Sequence, residues 1–211
     1  MGEQSFENFL VIAILILSTA LHEMAHAYTA TWLGDPTPGR FGRLTLNPFP
    51  HLQPVLTAII LPFVMYMSGN GFMILAQTPI DPSRFKHPLR DQALVAIAGP
   101  LTNVLCALLL IGALWIPGVW ETDGPPTIRM IALDKAAFYN FILAIFNMLP
   151  FPPLDGYRII RAVLPIRLRM AADGFSRHTY SLILCMIVGS RLIRYFVPFV
   201  EVLMYLLVPA S

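Results

Sequence analysis

The chain has 211 residues, 56% of them hydrophobic and 12% charged, with a formal net charge of +2 and a mean hydropathy of +0.67. A soluble domain carries roughly 25% charged residues, so half that share points to lipid as the solvent, and so small a positive charge gives no basis for binding nucleic acid. Cys106 and Cys185 both lie inside apolar runs, where helix packing is the simpler role than a disulfide, and they form no CxxC pair.

In chain order, the opening MGEQSFEN is acidic and has no positively charged stretch, so the first apolar run is expected to stay in the protein and not to be cleaved as a signal peptide. That run, Phe9–Leu33, has the length of a membrane-spanning helix, about 20 residues, with Glu23 its only formally charged residue. Pro54–Ser68 is marginal in length, and the apolar GFMILAQTPI follows it. Gln92–Ile116 is a second span without a charged residue. Ala136–Leu149, extended upstream by Ile131–Leu133, is a third, stopped by the prolines of LPFPPLDG. His178–Ala210 is long enough to cross, but Arg191, Arg194, Pro198 and Glu201 interrupt it. It reads as one broken helix or two short ones.

Charge orients these spans. Arg84, Lys86 and Arg90 precede the second span, and Arg158, Arg161, Arg167, Arg169 and Arg177 follow the third, whereas Pro117–Thr127 carries Glu121 and Asp123. The positive-inside rule places the arginine-rich segments in the cytoplasm and Pro117–Thr127 outside. Met1–Glu7 is then outside and Arg40 and Arg43 inside. Pro54–Pro79 must leave the cytoplasmic side and return, as a helix with an extended return or as a re-entrant hairpin. Gly71–Pro79 suits an extended segment dipping into the membrane, where an unpaired strand edge is tolerated only against protein or a watery cavity. An unwound substrate could add a strand to that edge; a re-entrant turn that only packs the bundle is the alternative. The expected fold is an all-α polytopic bundle of about 4–6 transmembrane helices with short re-entrant or β-hairpin segments. It forms a single domain over 1–211, with a core at about 9–160 and C-terminal helices at about 178–210.

Inside the first span stands HEMAH, His22 to His26. Positions i and i+4 share a helix face, so His22 and His26 can offer two imidazole nitrogens to one metal ion. Glu23 beside them can take a proton from water. This is the H-E-x-x-H arrangement of zinc hydrolases. Ionisable groups inside a spanning helix are costly and usually functional, which weighs against two core histidines and a glutamate having fallen into this spacing. His26 lies seven residues before Leu33, so at about 1.5 Å per residue the site is roughly 10–15 Å below the cytoplasmic surface. A polar cavity must bring water to it.

Two histidines leave a catalytic zinc one protein ligand short. The extended metzincin pattern is absent, because Thr29 and Trp32 stand where Gly and His would. The candidates are Asp35, His51, Asp81, His87, Asp155 and Glu201. Asp35, Asp81 and His87 sit in proline-rich, turn-like loops and are more simply solvated. Glu201 has irregular, interface-like surroundings. Asp155 directly follows an apolar span, beside Gly156, where a carboxylate is costly unless a cation neutralises it. A helix-end aspartate at the interface is the bland alternative, and next to HEMAH the ligand reading of Asp155 is preferred.

These motifs together resemble the site-2 protease family of intramembrane zinc metalloproteases. The resemblance runs through HEMAH at 22–26, GRFGRLTLNPFPH at 39–51, TPIDPSRFKHP at 78–88, AGPLTN at 98–103 and FNMLPFPPLDG at 146–156, and covers residues 18–160 in matching order. It implies His22, His26 and Asp155 as ligands of one Zn2+ per chain and Glu23 as catalytic base. It also implies Asn103 and Asn147 as contacts to substrate or to the tetrahedral intermediate. AGPLTN can equally be small-residue helix packing, and His51 is either an interfacial residue or a further substrate contact. The sequence departs from the bacterial pattern at Gln53, in HLQP where H-x-D-P is usual, and at QTPI where K-P-V-P is common. Those positions bear on substrate preference. No PDZ-like insertion is evident, so the expectation is a minimal, core-only member in a bacterial inner membrane, with the active site toward the cytoplasm. Its partners would be single-span membrane-protein substrates and membrane lipids. A membrane metal-binding protein or metal transporter using the same histidines is the alternative, and it would need polar ligands at several depths.

Overall fold

The computed structural model describes residues 3–51, 78–120 and 127–209, and every regular element among them is helical. Helix α1 is Glu3–Trp32, followed by two single turns, α2 (Thr37–Arg40) and α3 (Pro48–His51). A 3₁₀ turn at Pro82–Arg84 precedes α4 (Pro88–Leu114). Then come α5 (Ile128–Asn147), α6 (Asp155–Val163), α7 (Ile166–Ser176) and α8 (Thr179–Leu207). The expected segment from Pro54 to Gln77, helix or hairpin, lies outside the described residues.

Local chemistry sets the ends. Gly34, at φ +106°, takes the left-handed conformation that ends α1 without a Cβ clash. Pro88 opens α4 at a first-turn position, where its missing N–H costs no intrahelical bond. The third expected span begins earlier than Ala136, at Ile128, because Thr127 Oγ1 accepts from the Met130 N–H at 3.4 Å and caps the helix there. The last segment differs from the broken helix or pair read from sequence. It is one helix, Thr179–Leu207, with Pro198 inside it. Arg191, Arg194 and Glu201 interrupt the hydropathy without interrupting the helix.

Helix α4 is the centre of the assembly and packs against α1, α5 and α6, while α8 lies on α5. One core cluster joins Ala107 and Ile111 of α4, Ala137 and Phe141 of α5, and Val200 and Met204 of α8. A second packs Ala30 of α1 and Val95 of α4 around Phe85. Two described helices are long and apolar enough to cross a membrane, Phe9–Trp32 and Pro88–Leu114. Their apolar surface is not all spent on packing. On α4, Ile97, Leu101, Leu105 and Leu109 recur every fourth residue and are 40–74% exposed, a stripe that water would penalise and acyl chains would not. This is a membrane protein with an all-helical described fold.

Candidate metal centre

Helix α1 carries His22 and Glu23 side by side and His26 one turn later, and all three are buried. One potential ligand atom from each lies within 4.8 Å of the other two. Asp155, the first residue of α6, completes a tighter cluster. His22 Nε2 is 3.0 Å and His26 Nε2 3.1 Å from Asp155 Oδ2, and the two imidazole nitrogens are 2.9 Å apart. The chain segments meeting here are 129 residues or more apart in sequence.

The outer ring nitrogens decide what this cluster can hold. His26 Nδ1 is 2.7 Å from the Val95 carbonyl, which can only accept, so Nδ1 carries the proton and Nε2 presents a lone pair. His22 Nδ1 donates to Asn103 Oδ1 at 3.1 Å, which likewise leaves its Nε2 bare. Three acceptors, two imidazole nitrogens and a carboxylate oxygen, therefore converge. A single proton can bridge only one pair of them, whereas a dication satisfies all three. Zinc bonds of about 2.0–2.1 Å in tetrahedral array separate ligand atoms by about 3.3 Å. The observed 2.9–3.1 Å needs only a few tenths of an ångström of opening. The residues present fit zinc with three protein ligands, the number typical of a catalytic site.

Helix α4 is what makes the approach possible. Gly99 faces the two rings so closely that a Cβ there would stand 2.5 Å from His22 Nε2 and 2.6 Å from His26 Cε1. Pro100 follows, has no N–H for the Ala96 carbonyl, and interrupts the ladder next to the Val95 carbonyl that receives His26. Asn103, one turn on, is 1% exposed. AGPLTN thus supplies a close-packed wall and, through Asn103, the outer partner of His22, while the Val95 carbonyl one turn earlier serves His26. Asp155 is delivered by a similar contact. A Cβ on Gly156 would run into the Met148 and Leu149 carbonyls at the end of α5, so only glycine lets α6 start there. On its outer side, Asp155 Oδ1 lies 3.5 Å from Arg158 Nη1.

Glu23 is oriented from elsewhere. Its Oε2 accepts from Thr78 Oγ1 at 2.7 Å, and Thr78 is itself buried. Thr78 stands in the TPIDPSRFKHP segment without having been singled out. Nothing in sequence spacing links it to Glu23, 55 residues away.

Other candidates fall elsewhere. Asn147 donates to the Leu143 carbonyl of its own helix at 2.9 Å, and His51, fully buried in α3, donates through Nε2 to the Thr45 carbonyl at 2.8 Å. Neither shares a hydrogen bond with the cluster. Glu201 is exposed on α8. Asp35 corrects an expectation: it is not solvated but 0% exposed. Its carboxylate accepts the backbone N–H of Thr37 at 2.9 Å and of Asp81 at 2.7 Å, so it ties two proline-rich loops together. His87 is exposed, and Asp81 accepts from Ser83 and Arg84.

Comparison with known proteins bears on this geometry. The profile of "Peptidase family M50" matches residues 127–189, a stretch that includes Asp155. "Putative zinc metalloprotease YwhC" of Bacillus subtilis (strain 168) is 37% identical over 167 residues, 76% of this chain and 71% of the relative. This chain belongs to peptidase family M50, the site-2 proteases. A second relative, "Putative zinc metalloprotease Rip2" of Mycolicibacterium smegmatis (strain ATCC 700084 / mc(2)155), is 29% identical over 196 residues, 89% of this chain and 70% of the relative. Its Mycobacterium tuberculosis (strain ATCC 35801 / TMC 107 / Erdman) namesake is 31% identical over 148 residues, 70% of this chain and 54% of that relative. No solved structure matches the chain.

Proposed function

We propose that this M50 chain is a zinc-dependent endopeptidase that cuts membrane-spanning segments of other membrane proteins. His22, His26 and Asp155 would hold one zinc per chain, with Glu23 as the general base. The observation that carries the reading is the convergence of two imidazole nitrogens and a carboxylate oxygen within 3.1 Å beside a buried glutamate on an apolar helix. The names of the relatives support zinc and proteolysis.

Zinc, when bound, polarises a carbonyl and makes water a usable nucleophile near neutral pH. The chain's own groups do the rest. Glu23 takes the proton of the attacking water and returns it to the leaving amine. Thr78 holds the Glu23 carboxylate in one orientation through the 2.7 Å bond. Asn103 and the Val95 carbonyl fix the tautomers of His22 and His26, which keeps the inner nitrogens available as ligands. A substrate helix must unwind locally, since its own hydrogen bonds hide the scissile carbonyl. Gly71–Pro79 is the segment whose sequence suits pairing with such an unwound strand.

By the charge pattern, the site opens toward the cytoplasm of a bacterial inner membrane, within a single domain of about 4–6 spans. Among the described residues, metal-ligating groups gather in one cluster, which supports hydrolysis over a transport path with ligands at successive depths. The deciding experiment incubates the purified protein with candidate single-span substrates, with and without a zinc chelator. Cleavage that chelation abolishes and zinc restores supports the reading. Cleavage indifferent to chelation refutes it.

A further inference from the structure

Beside the metal cluster lies a cavity of about 370 Å³ that the mechanism above does not use. Arg43 and Arg158 line it, together with the neutral polar groups of Thr37, Thr78 and Gln92, and no carboxylate is among its described lining. We propose that this cavity is a subsite for a carboxylate side chain of the peptide substrate, an aspartate or glutamate flanking the scissile bond. The inference rests on the endopeptidase reading and adds a specificity determinant to it.

Three observations point to an anion. Two guanidinium groups share one small cavity, and each presents planar donors matched to a carboxylate. Arg43 Nη1 is buried and has no hydrogen-bond partner among the described residues, a costly state for a charged donor that an incoming acceptor would relieve. Among the described residues, the one carboxylate paired with Arg158 is Asp155, at 3.5 Å from Oδ1, so its charge is incompletely paired there. Two further contacts tie the cavity to the reacting groups. Thr78 lines it and donates to Glu23, and Arg158 lines it and borders Asp155. An occupant would therefore sit one residue away from both the base and a metal ligand. That location suits a side chain of the bound peptide better than a lipid phosphate arriving from the bilayer surface.

The test uses the full-length, zinc-loaded Glu23→Gln protein in discs of neutral phosphatidylcholine, so that binding is read without turnover. The probes are fluorescent single-span peptides carrying one Asp, or one Asn in the control. That residue is scanned position by position through the half of the span facing the cytoplasm, and affinity is measured by anisotropy. At one or two positions the Asp peptide should bind about tenfold tighter than its Asn control, and the preference should shrink as salt rises. Adding Arg43→Gln should remove the preference, and Arg43→Lys should keep part of it, with zinc content and melting temperature checked in each. Equal binding of Asp and Asn peptides at every position overturns the proposal, as does a preference that survives Arg43→Gln. If phosphatidylglycerol in the discs, at constant ionic strength, abolishes the preference, the cavity is a lipid-phosphate site and the proposal is likewise overturned. Failure of the wild-type chain to cut any peptide would count against the protease reading, a separate result from loss of the Asp preference.

Discussion

Gly99→Ala tests whether the wall of α4 sets the metal geometry. The new Cβ would stand 2.5 Å from His22 Nε2, and 2.6 Å from both His22 Cε1 and His26 Cε1. Unstrained contacts of this kind are about 3.5 Å or longer, so the rings would have to retreat by about 1 Å. Both rings are buried, and both are anchored at the far nitrogen by Asn103 and Val95. A functioning metal site holds its distances to within about 0.2 Å, so a shift of this size is several times the tolerance. Zinc affinity should fall by at least about 100-fold, equivalent to about 2.7 kcal/mol, and overpacking should cost about 1–3 kcal/mol of stability. Gly112→Ala, on the same helix, is the control, because among the described residues no neighbour lies within 4 Å of a Cβ added there; it should leave zinc binding unchanged and gain about 0.5–1 kcal/mol of helix stability. The assay is chelator competition with metal analysis, alongside thermal unfolding. If folded Gly99→Ala protein holds zinc within threefold of wild type, the packing argument is wrong.

Glu23→Gln should cut cleavage by about 10²–10⁴-fold while zinc stays near one per chain, read by gel cleavage and metal analysis; near wild-type cleavage would remove Glu23 as the base. Asp155→Ala should lose zinc and activity together, whereas Glu201→Ala, altering an exposed side chain of α8, should keep both. A reversed outcome would make Glu201 the ligand. Thr78→Val should lower kcat about tenfold through a misoriented Glu23 with zinc content unchanged, and an unaltered kcat would deny Thr78 its positioning role. At the α6–α7 junction the Arg161 guanidinium, bonded to both Asp173 oxygens at 2.7 and 2.8 Å, holds the Asp173 carboxyl below its usual 3.8. The folded value is the depressed one, so the stabilisation is present above about pH 4 and lost as pH falls through the folded value. Asp173→Asn should therefore lower the melting temperature slightly at pH 7, by an amount worth no more than about 1 kcal/mol at this partly exposed site. That gap to wild type should close on acidification below pH 4, and a gap independent of pH would assign the effect to the Tyr157 contact instead.

Sequence was informative wherever periodicity or burial cost acted over a short stretch. His22 and His26 are one helical turn apart, and that spacing alone predicts their convergence. Asp155 stood out because a carboxylate after an apolar span needs a counter-charge, and the structure puts it 3.0 Å from His22. Long-range packing left no such trace. Thr78 meets Glu23 only because the chain returns to α1, and no local pattern encodes that return. Gly99 sat in a motif readable as ordinary small-residue packing, and its closeness to the imidazoles follows from how α4 crosses α1. Asp35 misled because proline-rich loops are usually wet. Here two backbone N–H groups satisfy the carboxylate and allow its burial. Arg191, Arg194 and Glu201 misled in another way, because they break a hydropathy window while α8 runs on through them.

The arrangement also bears on why α6 begins where it does. Asp155 can join the histidines only if its helix starts against the end of α5, and Gly156 is the residue whose missing side chain permits that contact. Phe146, Leu149 and Leu154 then pack around the same corner, fixing the approach with apolar contacts that need no metal. On the other side, Gly99 allows the two imidazoles to lie against the α4 backbone, and Asn103 and Val95 hold their outer nitrogens. Each ligand is thus restrained by a contact independent of the other two. Three buried acceptors facing one another are unfavourable without a cation, and the surrounding packing opposes the collapse or reorientation that would relieve them. Gly99 and Gly156, which bear no chemistry themselves, thus let the three groups approach, while Asn103, Val95 and the apolar corner hold them together.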